Sequence, residues 1–195
     1  MNRPLCTVSA LAFAVLLLQG CAPMVVGGAA TGVALAHDRR TTGSFIEDQS
    51  IEMKARNELN AEPELSRQAH LSVTSFNMIV LVSGEAPNET LRQRAGEVVG
   101  RVEKVRRVHN EVQVAAPSAM MSRSSDTLIT AKVKTNLFRI QGMEDFNPTR
   151  VKVVTENGTV FLMGLLTRAE ADATARTASS VGGVQRVVKL FEYLD

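Results

Sequence analysis

Apolar residues recur at helical spacing in two separate stretches of the chain. Residues three or four positions apart lie on the same face of an α-helix, so each set predicts a helix with one buried side. Asp48 and Asp126 precede the two sets and are predicted to be N-caps. The two sets are Ile51, Ala55 and Leu59, followed later by Ile129, Val133 and Leu137.

Alternating apolar and polar residues follow each predicted helix and indicate two β-strands joined by a tight turn. In the later stretch the turn is Glu156-Asn157-Gly158-Thr159, and its Asn-Gly pair is typical of a hairpin. Asn77-Met78 takes that place in the earlier stretch, so a less regular turn is expected there. Gly84 and Gly164 are expected to close the two hairpins.

A second helix and a third strand complete each stretch. The helices are expected to begin near Asn88 and Thr167, and Thr167 with Glu170 forms a capping-box pattern. The third strands are predicted over 105–114 and 184–193. The element order is therefore αββαβ, and it occurs twice.

The two stretches are an internal repeat, because 71–95 aligns with 151–175 without a gap. The fold class is predicted to be α+β, with two tandem units that each pack a three-stranded mixed sheet with two helices. Asp38-Arg39-Arg40, ahead of the first unit, is expected to be a solvated charge cluster. The predicted divisions are a signal peptide at 1–20, a tether at 21–44, a first unit at 45–115, a linker at 116–123 and a second unit at 124–195.

The amino terminus has the features of a secretory signal peptide. One arginine precedes an apolar run that is shorter than the roughly 20 residues that a membrane-spanning helix needs. The run ends at Leu18-Gln19-Gly20-Cys21, which resembles the bacterial lipobox. That resemblance implies cleavage before Cys21, a diacylglycerol on its sulfur, and sorting to the outer membrane because Ala22 follows. An ordinary signal peptide with a chance cysteine is the alternative.

Composition excludes several kinds of chemistry. Cys6 would leave with the signal peptide, so the mature chain would have no thiol for a disulfide, for catalysis or for a metal. A formal net charge of +2 provides no strong field for nucleic acid. His37, His70 and His109 lack the spacing of metal ligands. We expect no cofactor, no metal and no enzymatic activity.

One predicted helix, within 124–140, has an unusual outer face. At about 100° per residue, one arc of this helix gathers a leucine, two basic residues and a threonine, flanked by a lysine and a phenylalanine. Exposed apolar residues among basic ones suit anionic lipid headgroups, although a solvated basic face with one stray leucine would look the same. The arc holds Leu128, Lys132, Thr135 and Arg139, and the flanking residues are Lys134 and Phe138.

The repeated unit resembles the BON domain. The resemblance rests on the αββαβ order, on Val82-Ser83-Gly84 in the second strand, and on the closing pattern over 105–112. The second copy has Lys189 where the first has Asn110. Together with the lipobox and the tether, the two units resemble the dual-BON outer-membrane lipoproteins.

That resemblance implies a non-enzymatic protein on the periplasmic side of the outer membrane. The implied partners are the bilayer through acylated Cys21, anionic phospholipids through the first helix of the second domain, and an envelope or division protein. The implied role is support of membrane integrity, with a link to the division site. Leu128 stands where the family pattern has tryptophan, which favours membrane interfaces more strongly.

Two other functions compete with lipid binding. A protein-interaction adaptor would use the BON pair, for example an exposed sheet edge, to dock an envelope partner, with lipid contact incidental. A hydrolase is disfavoured because the sequence offers no pair of nucleophile and base.

Overall fold

The computed structural model describes residues 39–116, 120–143 and 145–194, with only the backbone described for 120–123. The predicted signal peptide, Cys21 and His37 lie outside the described residues. None of the helices in the described part of the chain has the length and apolar character needed to span a membrane.

The first domain follows the predicted order, with one added short helix. Helix α1 begins three residues ahead of the predicted start of the unit, and the short helix α2 follows in a stretch for which no element was predicted. The third strand is interrupted, and its two pieces pair with the same neighbour. The elements are α1 Thr42–Ala61, α2 Pro63–Gln68, β1 His70–Phe76, β2 Ile79–Ala86, α3 Glu89–Gly100, β3 Arg107–Asn110 and β4 Gln113–Val114.

The second domain repeats this order with a longer final strand. Its second helix starts with the predicted capping box, in which Thr167 and Glu170 bind each other's backbone N–H groups. In the first domain Asn88 is the N-cap of α3, as predicted. The elements are α4 Met120–Leu137, a 3₁₀ turn at Pro148–Arg150, β5 Lys152–Glu156, β6 Thr159–Leu166, α5 Arg168–Ser179 and β7 Arg186–Tyr193.

Each sheet is mixed, as predicted, and its central strand is the second one. Strand β1 runs antiparallel to β2, and β3 and β4 run parallel to it. Strands β5, β6 and β7 repeat this arrangement in the second domain. Gly84 and Gly164 lie inside β2 and β6, so the expectation that they close the hairpins is wrong. The predicted α+β architecture is confirmed.

Asp48 and Asp126 are not N-caps, because both helices begin several residues earlier. Thr41 caps α1, and its side chain accepts a hydrogen bond from Ser44 N. Asp48 is 3% exposed and accepts hydrogen bonds from the backbone of Asn77 at 2.8 Å and of Met78 at 2.7 Å. These aspartates therefore fasten the first helix of each domain to the hairpin turn.

The turn in the first domain has φ angles close to those of the turn in the second, so the expected irregularity does not appear in its backbone. Asn77 and Met78 both have positive φ angles, 52° and 64°, in the region that favours glycine. Asn157 and Gly158 have the same signs of φ, and there the second residue is a glycine. The backbone amides of Met78 and Gly158 each donate to the aspartate of their own domain.

Both faces of the central strands are buried. One face of β2 packs on helices of its own domain, through Val80 and Val82. The other face contributes Ile79 and Leu81 to a cluster shared with the second domain. The two sheets therefore pack face to face, because β6 supplies Phe161 and Met163 to that cluster from the other side, both 1% exposed or less.

The two domains are stacked head to tail. Asn77, in the turn of the first domain, donates through Nδ2 to Glu192 near the end of β7, at 2.6 Å. In the reverse direction, Asn157 in the turn of the second domain donates to Glu85 near the end of β2. The hairpin turn of each domain therefore lies beside the other domain, at the end where the parallel strands of that other domain terminate.

Candidate functional site

All six residues that were predicted to contact lipid are exposed, on α4 or in the two residues that follow it. Leu128 is 62% exposed and Phe138, just after the helix, is 66% exposed. Lys132, Lys134, Thr135 and Arg139 are also exposed. Lys134 also lines a groove together with Arg40 and Asp48. We call the exposed side chains of these six residues the α4 face.

The helix is held so that this face points away from the protein. Ile129, Val133 and Leu137 are each 5% exposed or less and pack in the core of the second domain. Near its start, Asp126 accepts hydrogen bonds from the backbone of Asn157 at 2.8 Å and of Gly158 at 2.9 Å. Because one side of α4 is buried and Asp126 is hydrogen-bonded to the turn, the opposite side of the helix is exposed to solvent.

The positive charges of the α4 face are not neutralised. Within the described ranges, Lys132, Lys134 and Arg139 form no salt bridge, whereas most other lysines there do. The Thr135 hydroxyl donates to the carbonyl of Ala131 at 2.9 Å, so it adds no fixed donor to the surface. The face offers three cations among two exposed apolar side chains.

The corresponding face of α1 differs in charge. Lys54 pairs with Glu103 at 3.0 Å, and Glu47 pairs with Lys104 at 2.6 Å. Ile46 and Met53 are 63% and 60% exposed, and sequence reasoning missed both. Their spacing of two helical turns, off the arc of the core residues, is the signal that could have found them. The exposed face of α1 is therefore apolar, and charged residues on this helix are paired in salt bridges.

Arg39 and Arg40 are not part of a solvated cluster, which corrects the expectation for these two residues; Asp38 lies outside the described residues. Arg39 binds Glu170 through two nitrogens, at 2.6 and 2.9 Å, and also donates to the carbonyl of Leu165. Arg40 pairs with buried Asp48 at 2.7 Å and its guanidinium lies 3.8 Å from the Phe76 ring centroid. Arg39 thus holds the second domain and Arg40 the first. We call these two arginines the double clamp.

The double clamp affects the pKa of Glu170, the carboxylate that Arg39 binds. Burial acts to raise the pKa of Glu170, but hydrogen bonds from Arg39 and Thr167 outweigh it, and the pKa is lowered. The pKa of Arg39 is raised, chiefly by its hydrogen bonds to Glu170. The pair is therefore charged at neutral pH, and it is bidentate, which is the stronger geometry for arginine and carboxylate.

The described histidines lie apart from each other, and the described carboxylates that they could join form no metal-binding group with them. His70 and His109 lie on different strands of the first domain, and burial lowers the pKa of His109. No group of three metal-ligating side chains occurs within 39–116, 120–143 and 145–194. Glu62 pairs with Arg94, and Glu64 lies in the first turn of α2.

Comparison with known proteins gives consistent relatives. A family model described as BON domain matches residues 47–116 and 125–195. Outer membrane lipoprotein DolP of Haemophilus influenzae is 36% identical over 192 residues, which cover 98% of both chains. The 21 kDa hemolysin of Actinobacillus pleuropneumoniae is 32% identical over 158 residues, covering 81% of this chain and 80% of the relative.

Among solved structures, one neighbour is the C-terminal domain of CdsD, the structural protein of the Type III secretion system of Chlamydia trachomatis. It is 16% identical, with a TM-score of 0.30, over 76% of this chain and 67% of its own. A TM-score of this size does not establish a shared fold.

Proposed function

The chain belongs to the family of BON-domain proteins and is a relative of the outer-membrane lipoprotein DolP, and on this basis we propose that it binds anionic phospholipid through the α4 face. It is a lipid-anchored protein of the outer membrane, as predicted. In this proposal acylated Cys21 is the anchor and the domains face the periplasm. They act without catalysis to support membrane integrity, including at the division site.

The observation that carries the proposal is the unpaired charge of the α4 face. Near an anionic membrane each basic residue contributes about 1 kcal/mol, so Lys132, Lys134 and Arg139 together supply up to about 3 kcal/mol before screening. Leu128 and Phe138 add apolar surface that can enter the headgroup region. This is weak for a free protein but sufficient for an anchored one, whose effective concentration at the surface is high.

A vesicle titration tests the proposal. The chain from residue 21 onward, with Cys21→Ser, is mixed with phosphatidylglycerol vesicles and with neutral phosphatidylcholine vesicles, and binding is measured by co-sedimentation. We expect binding to the anionic vesicles only. The double variant Leu128→Ala with Lys132→Glu should weaken it by roughly tenfold or more, since one attraction becomes a repulsion.

The matched control variant removes one exposed apolar side chain and reverses one charge on the first domain. Val114 is 52% exposed and Arg107 is exposed at the start of β3, so Val114→Ala with Arg107→Glu makes the same chemical change elsewhere. It should bind like the parent, apart from the small effect of net charge. Equal losses in both double variants would contradict a contact made by α4.

A protein adaptor is the second candidate function, and the exposed Ile46 and Met53 on α1 favour it. Their surroundings are paired in charge, which suits a protein surface better than anionic headgroups. A photo-crosslinking amino acid at Met53 and another at Lys132, in cells, would separate the two functions. Protein adducts at Met53 with lipid adducts at Lys132 would assign each face its own partner.

A further inference from the structure

We propose that the outer face of α1 binds the same face of a second copy of the chain, so that two α1 helices pair antiparallel about a two-fold axis. We call this surface the α1 seam, and it consists of Ile46, Gln49, Ser50, Met53 and Asn57. The proposal goes beyond lipid binding by the α4 face, which takes no part in this contact. The second copy is the partner that fits, because the α1 seam is complementary to itself.

The α1 seam has the spacing of a helix-packing surface. Ile46, Ser50, Met53 and Asn57 follow one another at intervals of four, three and four residues, so they form one stripe along the helix. The same residues line a shallow groove. Ile46 and Met53 are 63% and 60% exposed, whereas the opposite side of α1 is buried in the core of the first domain. Two large apolar side chains around the smaller Ser50 can accommodate a second helix.

Two-fold symmetry allows this stripe to pair with itself. If the axis passes between Gln49 and Ser50, Ile46 of each copy lies at the level of Met53 of the other copy. Ser50 then faces Ser50 of the second copy across the axis, and its small side chain allows the two helices to approach closely. Both exposed apolar residues of each copy are covered in this arrangement.

The charges beside the α1 seam favour the same arrangement. Glu47 and Lys54 lie on one flank of α1, about 20° apart around the helix. Antiparallel pairing brings Glu47 of one copy within about 3 Å, measured along the helix axis, of the level of Lys54 of the other. Opposite charges therefore meet twice in each dimer, once on either side of the two-fold axis.

Glu47 and Lys54 can each bind a further partner, although both are in exposed salt bridges. Lys104 binds only Oε1 of Glu47, at 2.6 Å, and Lys54 uses one of its three N–H donors for Glu103, at 3.0 Å. In the dimer these four residues form a row of alternating charge, in the order Lys104, Glu47, then Lys54 and Glu103 of the second copy. Such a row has no like charges next to each other.

An anionic membrane fits the α1 seam less well than a second copy does. Lys54 and Arg56 are the basic residues of α1, and both are in salt bridges, with Glu103 and Glu52. Within the described residues, α1 therefore offers anionic headgroups no cation outside a salt bridge. The α4 face has three such cations, which is the difference between a surface for lipid and a surface for protein.

The expected dimer is weak in solution. A stable protein interface buries about 1,200–2,000 Å² in total, and the apolar side chains of two α1 seams supply only part of that area. Copies that are lipid-anchored in one membrane are confined together, which raises their effective concentration. We therefore expect association in the micromolar to millimolar range for the soluble chain and more complete pairing on a membrane.

Disulfide formation tests the proposed geometry. The soluble chain from residue 21 with Cys21→Ser has no cysteine, so each variant introduces a single thiol. Ser50→Cys places two thiols across the axis, whereas the two copies of Asn57→Cys would lie about 22 Å apart along the helices. Under mild oxidation, Ser50→Cys should form roughly tenfold more covalent dimer than Asn57→Cys. Equal amounts in the two variants, or no dimer in either, would overturn the proposal.

A mixed sample tests the antiparallel direction. Thr42 of one copy lies at the level of Asn57 of the other, so Thr42→Cys and Asn57→Cys should form a disulfide when they are mixed. Each of these variants alone should remain monomeric. Covalent dimer from Asn57→Cys alone would indicate parallel helices and would overturn the two-fold arrangement.

Sedimentation of the soluble chain tests self-association without a thiol. The average mass of the parent should rise towards twice the monomer mass as concentration increases, and Ile46→Ser with Met53→Ser should remain monomeric. The matched control, Leu128→Ser with Phe138→Ser, removes two exposed apolar side chains from the α4 face and should associate like the parent. A parent that stays monomeric, or equal losses in both variants, would overturn the proposal. Circular dichroism verifies that each variant is folded.

Vesicle binding and crosslinking in cells separate this proposal from the other functions. Ile46→Ser with Met53→Ser should bind anionic vesicles like the parent, so loss of self-association alone concerns the α1 seam and loss of vesicle binding in the α4 variants alone concerns lipid. A photo-crosslinking amino acid at Met53 should give an adduct with twice the mass of the chain. Adducts at Met53 only with lipid, or only with other proteins, would overturn pairing with a second copy.

Discussion

At the scale of single residues, one aspartate in each domain joins the first helix to the hairpin turn. The Asp126 carboxylate accepts from two buried or half-buried backbone amides, those of Asn157 and Gly158. Its removal takes an acceptor away from both donors, and a buried donor that loses its acceptor costs about 1–3 kcal/mol. The aspartate therefore stabilises the second domain far more than a helix cap of ordinary strength does.

We predict that Asp126→Ala lowers the free energy of unfolding by about 2–4 kcal/mol, measured by urea denaturation followed by circular dichroism. The control is Asp172→Ala, which removes an exposed carboxylate paired with Lys189 at 3.3 Å. An exposed pair of this kind contributes about 0–1 kcal/mol. Similar losses in the two variants would show that the bonds from Asp126 to the turn add no special stability.

The sequence could locate these aspartates but not their role. An aspartate ahead of an apolar helical pattern favours an N-cap, because that is the commonest use of its side chain near a helix start. The true cap of α1 is Thr41, whose neighbours carry no helical apolar pattern. What the pattern cannot supply is the position of the hairpin turn, which is distant in the chain and lies next to Asp48 only after folding.

Glu170 makes the double clamp sensitive to acid. Its folded pKa is lowered, so its contribution to stability is fully present above the unfolded value of about 4.3 and is lost as the pH falls through the folded pKa. We predict that Arg39→Gln is less stable than the parent near neutral pH. The difference should shrink as the pH falls below about 4.3, measured by urea unfolding at a series of pH values.

The control for the clamp is Arg107→Gln, which changes an exposed arginine that forms no salt bridge within the described residues. Its stability should follow that of the parent at every pH. If the stability difference between Arg39→Gln and the parent stayed constant across the acid range, Arg39 would stabilise the protein through packing. Its charge interaction with Glu170 would then contribute nothing.

At the scale of whole elements, α4 and α1 share a fold position and differ in their outer faces. Both bury three apolar residues one turn apart, and both expose two large apolar side chains. Only α4 combines exposed apolar residues with cations outside any salt bridge in the described ranges. Leu128, at the centre of the exposed arc of α4, lacks the amphipathic ring that favours a membrane interface.

We predict that Leu128→Trp raises the affinity of the soluble chain for anionic vesicles several-fold, measured by co-sedimentation. The gain should persist at about 1 M salt, where the screening length falls to about 3 Å and the contribution of Lys132 and Lys134 is largely lost. Val114→Trp, at an exposed site on the first domain, is the control and should bind like the parent. An increase in vesicle affinity in both variants would show that an exposed indole strengthens binding wherever it is placed.

Element order was predictable, and the burial of the central strands was only partly so. The stretch Ile79-Val80-Leu81-Val82 is apolar without interruption, which is typical of a strand buried on both faces. Period-two alternation accounts for one face of the strand, with Val80 and Val82 against the helices. Nothing in a local pattern shows which surface covers Ile79 and Leu81 on the second face.

At the scale of the whole molecule, the interdomain cluster makes the two domains one unit of stability. Phe161 is 1% exposed and packs between the sheets with Leu81 and Phe76. We predict that Phe161→Ala costs about 3–5 kcal/mol, and that unfolding of both domains still occurs in one transition. Near-UV and far-UV circular dichroism in urea would measure both effects.

The control for this prediction is Phe138→Ala, at a phenylalanine that is 66% exposed on the α4 face. It should leave the unfolding transition almost unchanged. If Phe161→Ala separated unfolding into two transitions, the domains would be independent in stability despite their packed sheets.

The repeat and its order could be read from the sequence, but the head-to-tail stacking could not. Stacking depends on contacts such as Asn77 with Glu192, whose members lie in different repeats and have no pattern in common. The α4 face was found because its residues are close in sequence. The double clamp was not, since Arg39 and Glu170 are distant in the chain and meet only after folding.

The position of Arg39 also sets an order of events during biogenesis. Its carboxylate partner lies 131 residues further along the chain, so the clamp cannot close until the final third of the protein has emerged and folded. Until then Arg39 has no bond to Glu170. The double clamp is therefore expected to be among the last contacts that the chain forms.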